Sequence, residues 1–300
     1  PWKDALALRE LTQYFRRERP ELVHTHSGKA GILGRLAAAR AGVPLIVHTI
    51  HGPSFGPFQG PLPNLLFRSA ERLAGRLTTH FVVVAEAMRR QYLAAGIGRA
   101  ELYTTIFSGF DLQPFLAARN DPALRASLGL GPEDIVVGKI ARLFEHKGHE
   151  DLLAAAPELV RRCPRLKFML VGDGQLRPRL ERRARELGLR EHFVFAGLVP
   201  PEAIARLVGL MDLLVHLSAR EGLARALPQA LAAGRPVVAY DRDGAGEVCL
   251  DGKTGLLLRP GDLAGLTESV LRLAQDPALR ERLGEQGREL VRQSFGVEHM

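Results

Sequence analysis

Along the chain, short apolar runs alternate with stretches in which apolar residues recur every three or four positions. Runs of strand length in the first third are LVHTH (Leu22–His26), PLIVHTI (Pro44–Ile50), FVVVA (Phe81–Ala85) and LYTTIF (Leu102–Phe107). Six more follow: DIVVGKI (Asp134–Ile140), LKFMLVG (Leu166–Gly172), HFVFAG (His192–Gly197), LLVHLS (Leu213–Ser218), PVVAY (Pro236–Tyr240) and GLLLRP (Gly255–Pro260). Helical periodicity covers, among others, Asp4–Arg19, Lys29–Ala41, Leu65–Leu77, His149–Arg162, Leu176–Leu187 and Ala224–Ala233. Strands apolar on both faces, alternating with helices, predict parallel sheets covered on both sides. Ten strands are too many for one simple doubly wound unit. The expected architecture is therefore α/β, with two Rossmann-like domains facing a cleft and ligands beyond the carboxyl ends of the strands.

The break falls in the turn-rich stretch Gly109–Asp134. It divides the chain into a first domain at 1–111, a linker at 112–133 and a second domain at 134–300. The first domain has four strands against six, and no strand with a glycine-rich turn precedes Leu22. The last residues, GVEHM, stop within a helical pattern. The sequence thus reads as a fragment truncated at both ends, with its first domain incomplete.

Composition narrows the class. The 300 residues are 46% hydrophobic and 25% charged, as in soluble globular proteins that form a core without staples. Cys163 and Cys249 lie far apart, which argues against a disulfide framework and fits a reducing compartment. No apolar run approaches the roughly 18 residues of a spanning segment. The net charge of +8 admits nucleic acid, anionic lipid headgroups or phosphorylated small molecules as partners. Of the two basic clusters, FRRERP (Phe15–Pro20) and RPRLERRARELGLR (Arg177–Arg190), the second interleaves acids at helical spacing and reads as a solvated face. Neither carries the interleaved aromatics of a single-strand binder, so nucleic acid is not the expected partner.

Candidate chemistry lies just after the strands. In GKIARLFEHKGHEDLL (Gly138–Leu153), Arg142 and Lys147 stand where a strand turns into a helix, with Gly138 before and Gly148 after. Backbone N–H groups at a helix start add positive potential to the two charges, which points to phosphate. The plainer alternative is a surface cation and a helix ion pair. Glu221 follows the strand LLVHLS, with a helix expected from about Leu223. There a carboxylate can accept bonds from sugar hydroxyls, and the N–H groups of Gly222, Leu223 and Ala224 can meet an anion. A purely local capping role for Glu221 is equally open. His24, His26, His48 and His51 cluster near two strand ends, with His24 and His26 on one face. With no carboxylate or thiol at ligand spacing, core histidines are a simpler reading than a zinc site. The triplet Asp241–Asp243 superficially matches a D-x-D metal motif but reads as loop and cap residues. No metal and no cofactor are expected.

The segments VHTHSGKAGILGR, VHTIHG, ARLFEHKGHEDLL, LVGDGQLRPRLE, FAGLVP and EGLARALPQALAAGRPVVAYDRDGAGEVCLDGKTGLLLRPGD resemble glycosyltransferase family 4. The likeness runs from about Glu21 to Pro260, with the motifs in order. It implies the GT-B fold and a retaining transfer of sugar from a nucleoside-diphosphate sugar to an acceptor hydroxyl. It also implies that Arg142 and Lys147 grip the diphosphate, that Glu221 contacts the transferred sugar, and that Gly222, Leu223 and Ala224 line the donor. Gly172 and Asp173 in GDGQ, and Gly197 and Val199 in GLVP, match segments bordering the nucleobase. His51 matches a histidine facing the reacting sugar and phosphate; His26, Ser27 and Lys29 are placed toward the acceptor. The family pattern has a ribose-holding glutamate eight residues after Glu221, where this chain has Gln229. An amide lacks the charge-assisted bond, and Pro228 beside it removes a helical bond unless it lies in the first turn.

The implied protein is a bacterial, cytoplasmic enzyme, peripheral on the inner face of the membrane. It would take a nucleotide sugar and a glycan or lipid-linked acceptor in cell-surface polysaccharide synthesis. The alternatives are a catalytically silent domain that binds nucleotide sugar or a partner, and a sugar-nucleotide epimerase.

Overall fold

The structure, a computed structural model, describes residues 2–56 and 58–300. It separates into two units, Pro1–Ser108 with Arg220–Leu223, and Gly109–Ala219 with Ala224–Met300.

The first unit runs α1 (Trp2–Glu18), β1 (Leu22–His26), α2 (Gly28–Ala41), β2 (Leu45–Ile50), α3 (Pro61–Gly75), β3 (His80–Val83), α4 (Glu86–Ala94) and β4 (Tyr103–Thr105). Its four strands pair in parallel in chain order. The register sets Thr25 opposite His48 and His26 opposite Thr49, so the histidine-bearing ends of β1 and β2 lie side by side. Ile50, Phe81, Met88, Tyr92 and Tyr103 form the core on one side. A polar knot is buried with it. Arg35 and Glu71, both 0% exposed, pair at 2.6 Å. The Ser54 hydroxyl donates to the other Glu71 oxygen at 2.8 Å and meets the Tyr92 hydroxyl at 2.8 Å. A buried ion pair needs its remaining bonding capacity filled; Ser54 fills the second Glu71 oxygen and Gly31 O accepts from Arg35 Nε at 3.0 Å, while Arg35 Nη1 has no partner among the described residues.

The second unit begins with α5 (Gln113–Leu116) and α6 (Pro122–Ser127). These fall in the stretch expected as a linker, where Asp121 caps α6 and α5 packs on the helices Pro201–Gly209 and Ala226–Ala232. Then come β5 (Ile135–Ile140), α7 (His149–Arg162), β6 (Leu166–Val171), α8 (Arg177–Glu186), β7 (Phe193–Gly197), α9 (Pro201–Gly209), β8 (Leu213–His216), α10 (Ala226–Ala232), β9 (Val237–Tyr240), β10 (Gly255–Leu258), α11 (Leu263–Gln275) and α12 (Pro277–Ser294). The six strands are parallel in the order β10-β9-β8-β5-β6-β7. Helix ends follow local chemistry: α7 has Glu150 and Asp151 in its first turn and Arg161 and Arg162 in its last, while Asp262 and Asp276 cap α11 and α12. Cys163 and Cys249 are both buried free thiols.

The helix expected from about Leu223 starts three residues later, at Ala226. Pro228 decides this. It has no N–H to donate and is tolerated only in the first turn, which a start at Ala226 provides. The N–H groups of Gly222, Leu223 and Ala224 therefore belong to a loop rather than to a helix end.

Candidate functional site

In the second unit the strand order reverses between β5 and β8. Ligands of open α/β sheets settle outside the carboxyl ends of the strands at such a point, and the loop that follows β5 there is the Arg142–Lys147 segment.

That loop is fixed along its length. The Arg142 carbonyl accepts a bond from His149 Nε2 at 3.0 Å. A carbonyl cannot donate, so His149 carries its proton on Nε2. His149 is 1% exposed. Burial first, then the charges of Lys139 and Lys147, hold its pKa down at about 4 against the pull of the carbonyl bond. The ring is neutral near pH 7. The Arg142 guanidinium stands 5.1 Å from the centre of the Phe144 ring, a cation–π contact that limits where the charge can swing. Between them, Leu143 donates to Asp173 O at 2.9 Å and accepts from Leu176 N at 2.9 Å. Ala141 N reaches Val171 O at 3.0 Å, and Gly172 N reaches Gly197 O at 2.9 Å. The loops after β5, β6 and β7 are thus laced together through backbone bonds.

The far end is held equally well. His146 O accepts from Ala219 N at 2.8 Å, which ties the loop to the one after β8. Gly148 has φ +67°, and a Cβ there would lie 2.2 Å from Leu217 O. Only glycine fits, and it offers α7 no side-chain cap. The N–H groups of the first turn are left for another acceptor. Lys139 in β5 is 1% exposed, and His216 at the end of β8 is 5% exposed. Burial, then Lys139 and Lys147, push His216 down to about 3. Burial is the larger cause for both imidazoles, and the charges of Lys139 and Lys147 near the ends of β5 and β8 add to it.

The nucleobase-side candidates have local bonds. Asp173 accepts from Gly174 N at 2.7 Å and pairs with Arg177 at 3.3 Å. Gly197 is buried, Val199 is half-buried ahead of α9, and Ala224 and Gln229 are half-buried at the start of α10. With Arg142 and Lys147, these are the site candidates of the second unit.

His26, Ser27, Lys29, His51, Glu221, Gly222 and Leu223 belong to the first unit. The rings of His24 and His26 stack at 4.5 Å, and those of His26 and His51 at 5.1 Å. His26 Nδ1 and His51 Nε2 share a bond of 2.9 Å, and His24 bonds the Thr49 hydroxyl at 2.7 Å. Partial burial and then the neighbouring imidazoles lower the pKa of His24 and His51. His48 is a core residue against the Thr25 hydroxyl at 2.8 Å, and burial drives it to about 2. Ser27 opens α2 and accepts the His51 N–H at 2.8 Å, so it holds the β2 loop. Lys29 pairs with Asp4 of α1 at 2.8 Å. Asp241–Asp243 forms a turn in which Asp243 takes φ +53°. Among the described residues, no group of three or more His, Cys, Asp or Glu side chains is placed to hold a metal ion.

Within the first unit, the segment Arg220–Leu223 docks on the loop after β2. Arg220 donates to Pro53 O at 2.7 Å and covers the Phe58 ring at 4.0 Å. At Gly222 a Cβ would meet His51 O at 1.9 Å, so Glu221 is presented by a backbone that no larger residue could form. Arg220, Phe144 and His149 were not singled out from the sequence. The adjacency of Arg220 to Glu221, and of His149 to Gly148, was the available signal.

Comparison with known proteins supplies the family. A model described as glycosyl transferases group 1 matches residues 120–290, and a glycosyl transferase 4-like domain matches residues 1–106. The 2-deoxystreptamine glucosyltransferase of Streptomyces kanamyceticus is 32% identical over 98% of this chain and 79% of its own length. The Escherichia coli UDP-Gal:alpha-D-GlcNAc-diphosphoundecaprenol alpha-1,3-galactosyltransferase is 28% identical over 92% of this chain and 72% of its own. Among solved structures, Anabaena HepE in complex with UDP-glucose superposes with a TM-score of 0.83 at 27% identity, covering 97% of this chain and 78% of that one. The two parallel sheets are those of the GT-B fold, and the chain belongs to the glycosyl transferases group 1 family as a glycosyltransferase of the family 4 kind.

Proposed function

We propose that the protein transfers a sugar, with retention, from a nucleoside-diphosphate sugar to a hydroxyl of a glycan or lipid-linked glycan in cell-surface polysaccharide synthesis. The observation that carries this reading is the pair Arg142 and Lys147 at the β5/β8 reversal, on a loop whose backbone is bonded from end to end. The bond from the anomeric carbon to the diphosphate breaks while the bond from that carbon to the acceptor oxygen forms on the same face. The acceptor proton passes to the departing phosphate oxygen. Negative charge grows on the leaving diphosphate, and cations already in place stabilise it more in the transition state than in the ground state. No divalent ion is assigned a part.

Glu221 is assigned to hydroxyls of the transferred sugar, and Gly222, Leu223 and Ala224 to the donor through backbone groups. Gly172, Asp173, Gly197 and Val199 are assigned to the base side, and Gln229 to the ribose with a neutral bond. His51 is assigned to the reacting sugar and phosphate, and His26, Ser27 and Lys29 to the acceptor side. The chain acts at the cytoplasmic face of a membrane, in peripheral contact with it. Complexes and names of relatives that include UDP, UDP-glucose and UDP-Gal support a nucleotide-sugar donor.

The test is to supply UDP- and GDP-sugars with a panel of acceptors and follow nucleoside diphosphate release and product configuration by NMR. Release with retained anomeric configuration is expected. Binding without release across the panel would instead indicate a silent domain, and an altered sugar without acceptor an epimerase.

A further inference from the structure

Helix α3 has two faces of different character. Inward, Glu71, Ala74 and Gly75 are buried and Phe67 packs on the core of the first unit. Outward, Leu62, Leu65, Leu66 and Leu73 are 66%, 59%, 61% and 53% exposed. At 3.6 residues per turn these four and Ser69 form one stripe. Arg72 and Arg76 are exposed along its flank, and Arg72 is steadied there by a bond from Nε to Ala95 O at 2.5 Å. Among the described residues of α3 the sole acid is Glu71, whose side chain is 0% exposed in its pair with Arg35. The solvent side of the helix is therefore leucine, proline, Ser69 and arginine, with no anion.

A single exposed leucine is ordinary, but four in one stripe make the kind of apolar patch that marks an interaction site. The helix does not need that stripe for its own anchoring, which Glu71 and Phe67 provide from the other side. The chemistry of the patch selects its partner. It is aliphatic, without the Trp or Tyr anchors that dominate protein–protein hot spots. Its margin is cationic, with long stems that can lie along apolar surface while the charged heads reach outward. An anionic bilayer offers the complement everywhere along its plane: acyl chains below, phosphates above. Among the described residues, no helix is long and apolar enough to cross a membrane, and α3 would lie in the interface rather than span it.

We propose that the outward face of α3 is a docking surface for an anionic lipid bilayer. Leu62, Leu65, Leu66 and Leu73 enter the boundary between headgroups and acyl chains, and Arg72 and Arg76 meet lipid phosphates. This deepens the peripheral contact proposed above by giving it a face, and it uses none of the donor-site residues.

The test is co-sedimentation of the protein, at physiological salt, with vesicles of phosphatidylcholine mixed with phosphatidylglycerol and with vesicles of phosphatidylcholine alone. The wild type is expected to partition onto the anionic vesicles and much less onto the neutral ones. The triple variant Leu62→Glu/Leu65→Glu/Leu66→Glu is expected to lose about ten-fold or more of that binding, and Arg76→Glu several-fold. The milder Leu65→Ser/Leu66→Ser makes the same comparison should the triple variant fold poorly. UDP binding, measured on the same samples, is expected to be unchanged in every variant, and so reports on the donor site separately. Equal vesicle binding by wild type and variants, or none by the wild type, overturns the surface. So does a wild-type dimer that the leucine variants convert to monomer without any vesicle binding, since the stripe would then be a self-interface.

Discussion

The Nε2–H of His149, the first residue of α7, donates to the carbonyl oxygen of Arg142 across 3.0 Å. One bond therefore closes the loop back on the helix it precedes and sets the backbone from which the guanidinium projects. His149→Ala removes one of the two donors to that carbonyl, which still accepts from Phe144 N at 2.8 Å, and the lost bond costs about 1 kcal/mol. The expected outcome is a lower urea midpoint and about a ten-fold loss of turnover, with the turnover loss exceeding any rise in KM. Wild-type stability and rate in this variant would show that the tie is incidental.

Gly148 tests the other end of the same loop. Alanine there must hold φ +67° and place a Cβ against Leu217 O at 2.2 Å. Left-handed strain alone is about 1 kcal/mol, and the contact with backbone adds to it. Gly148→Ala is expected to lose about 2 kcal/mol or more by thermal or denaturant melting. A melt within error of wild type would mean that the strand-to-helix turn is softer than its geometry implies.

In the first unit, Arg35 and Glu71 behave as a single buried object. Removing one charge strands the other, at a cost of about 3–5 kcal/mol, whereas replacing both with apolar residues of similar size can recover much of it. Glu71→Gln is expected to destabilise strongly in a urea titration, and Arg35→Met/Glu71→Leu to be more stable than Glu71→Gln. Additive losses in the double variant would contradict the coupling.

Acid is expected to weaken the fold through three histidines. His48, His149 and His216 sit at about 2, 4 and 3 in the folded chain, against an ordinary 6.5. Below that ordinary value the unfolded chain takes up protons that the fold refuses, so stability falls as pH falls. The slope is about 1.4 kcal/mol per pH unit for each histidine. Their contribution is complete above 6.5 and is lost steadily toward about 4, where His149 begins to protonate in the fold as well. The urea midpoint followed from neutral pH to about pH 5 checks this. A flat profile over that range would contradict it.

Much of this architecture is legible in the chain. All ten strands are legible as short runs: β5, β6, β8 and β9 are buried on both faces and apolar almost throughout, while β1 alternates exposed and buried residues, and Arg142, Lys147 and their glycines stand out at a strand end. The buried knot is not legible. Arg35 sits in an ordinary helical pattern, and Glu71 lies 36 residues away on another helix, so only the fold brings them together. The sequence places the start of α10 too early because apolar periodicity continues back to Leu223, while the decisive feature is one missing N–H at Pro228. His149 reads as a helix residue, since nothing in the sequence says that its ring turns back toward a carbonyl seven residues earlier.

Under the proposed function, a leaving diphosphate is stabilised by two side-chain cations, Arg142 and Lys147, held in place beforehand. Initial rates with a nucleoside-diphosphate sugar, for Arg142→Ala and Lys147→Ala beside wild type, test it most directly. Each variant is expected to melt like wild type and to lose about a hundred-fold or more in kcat, as when an oxyanion donor is deleted. Near-normal turnover in both would contradict the account.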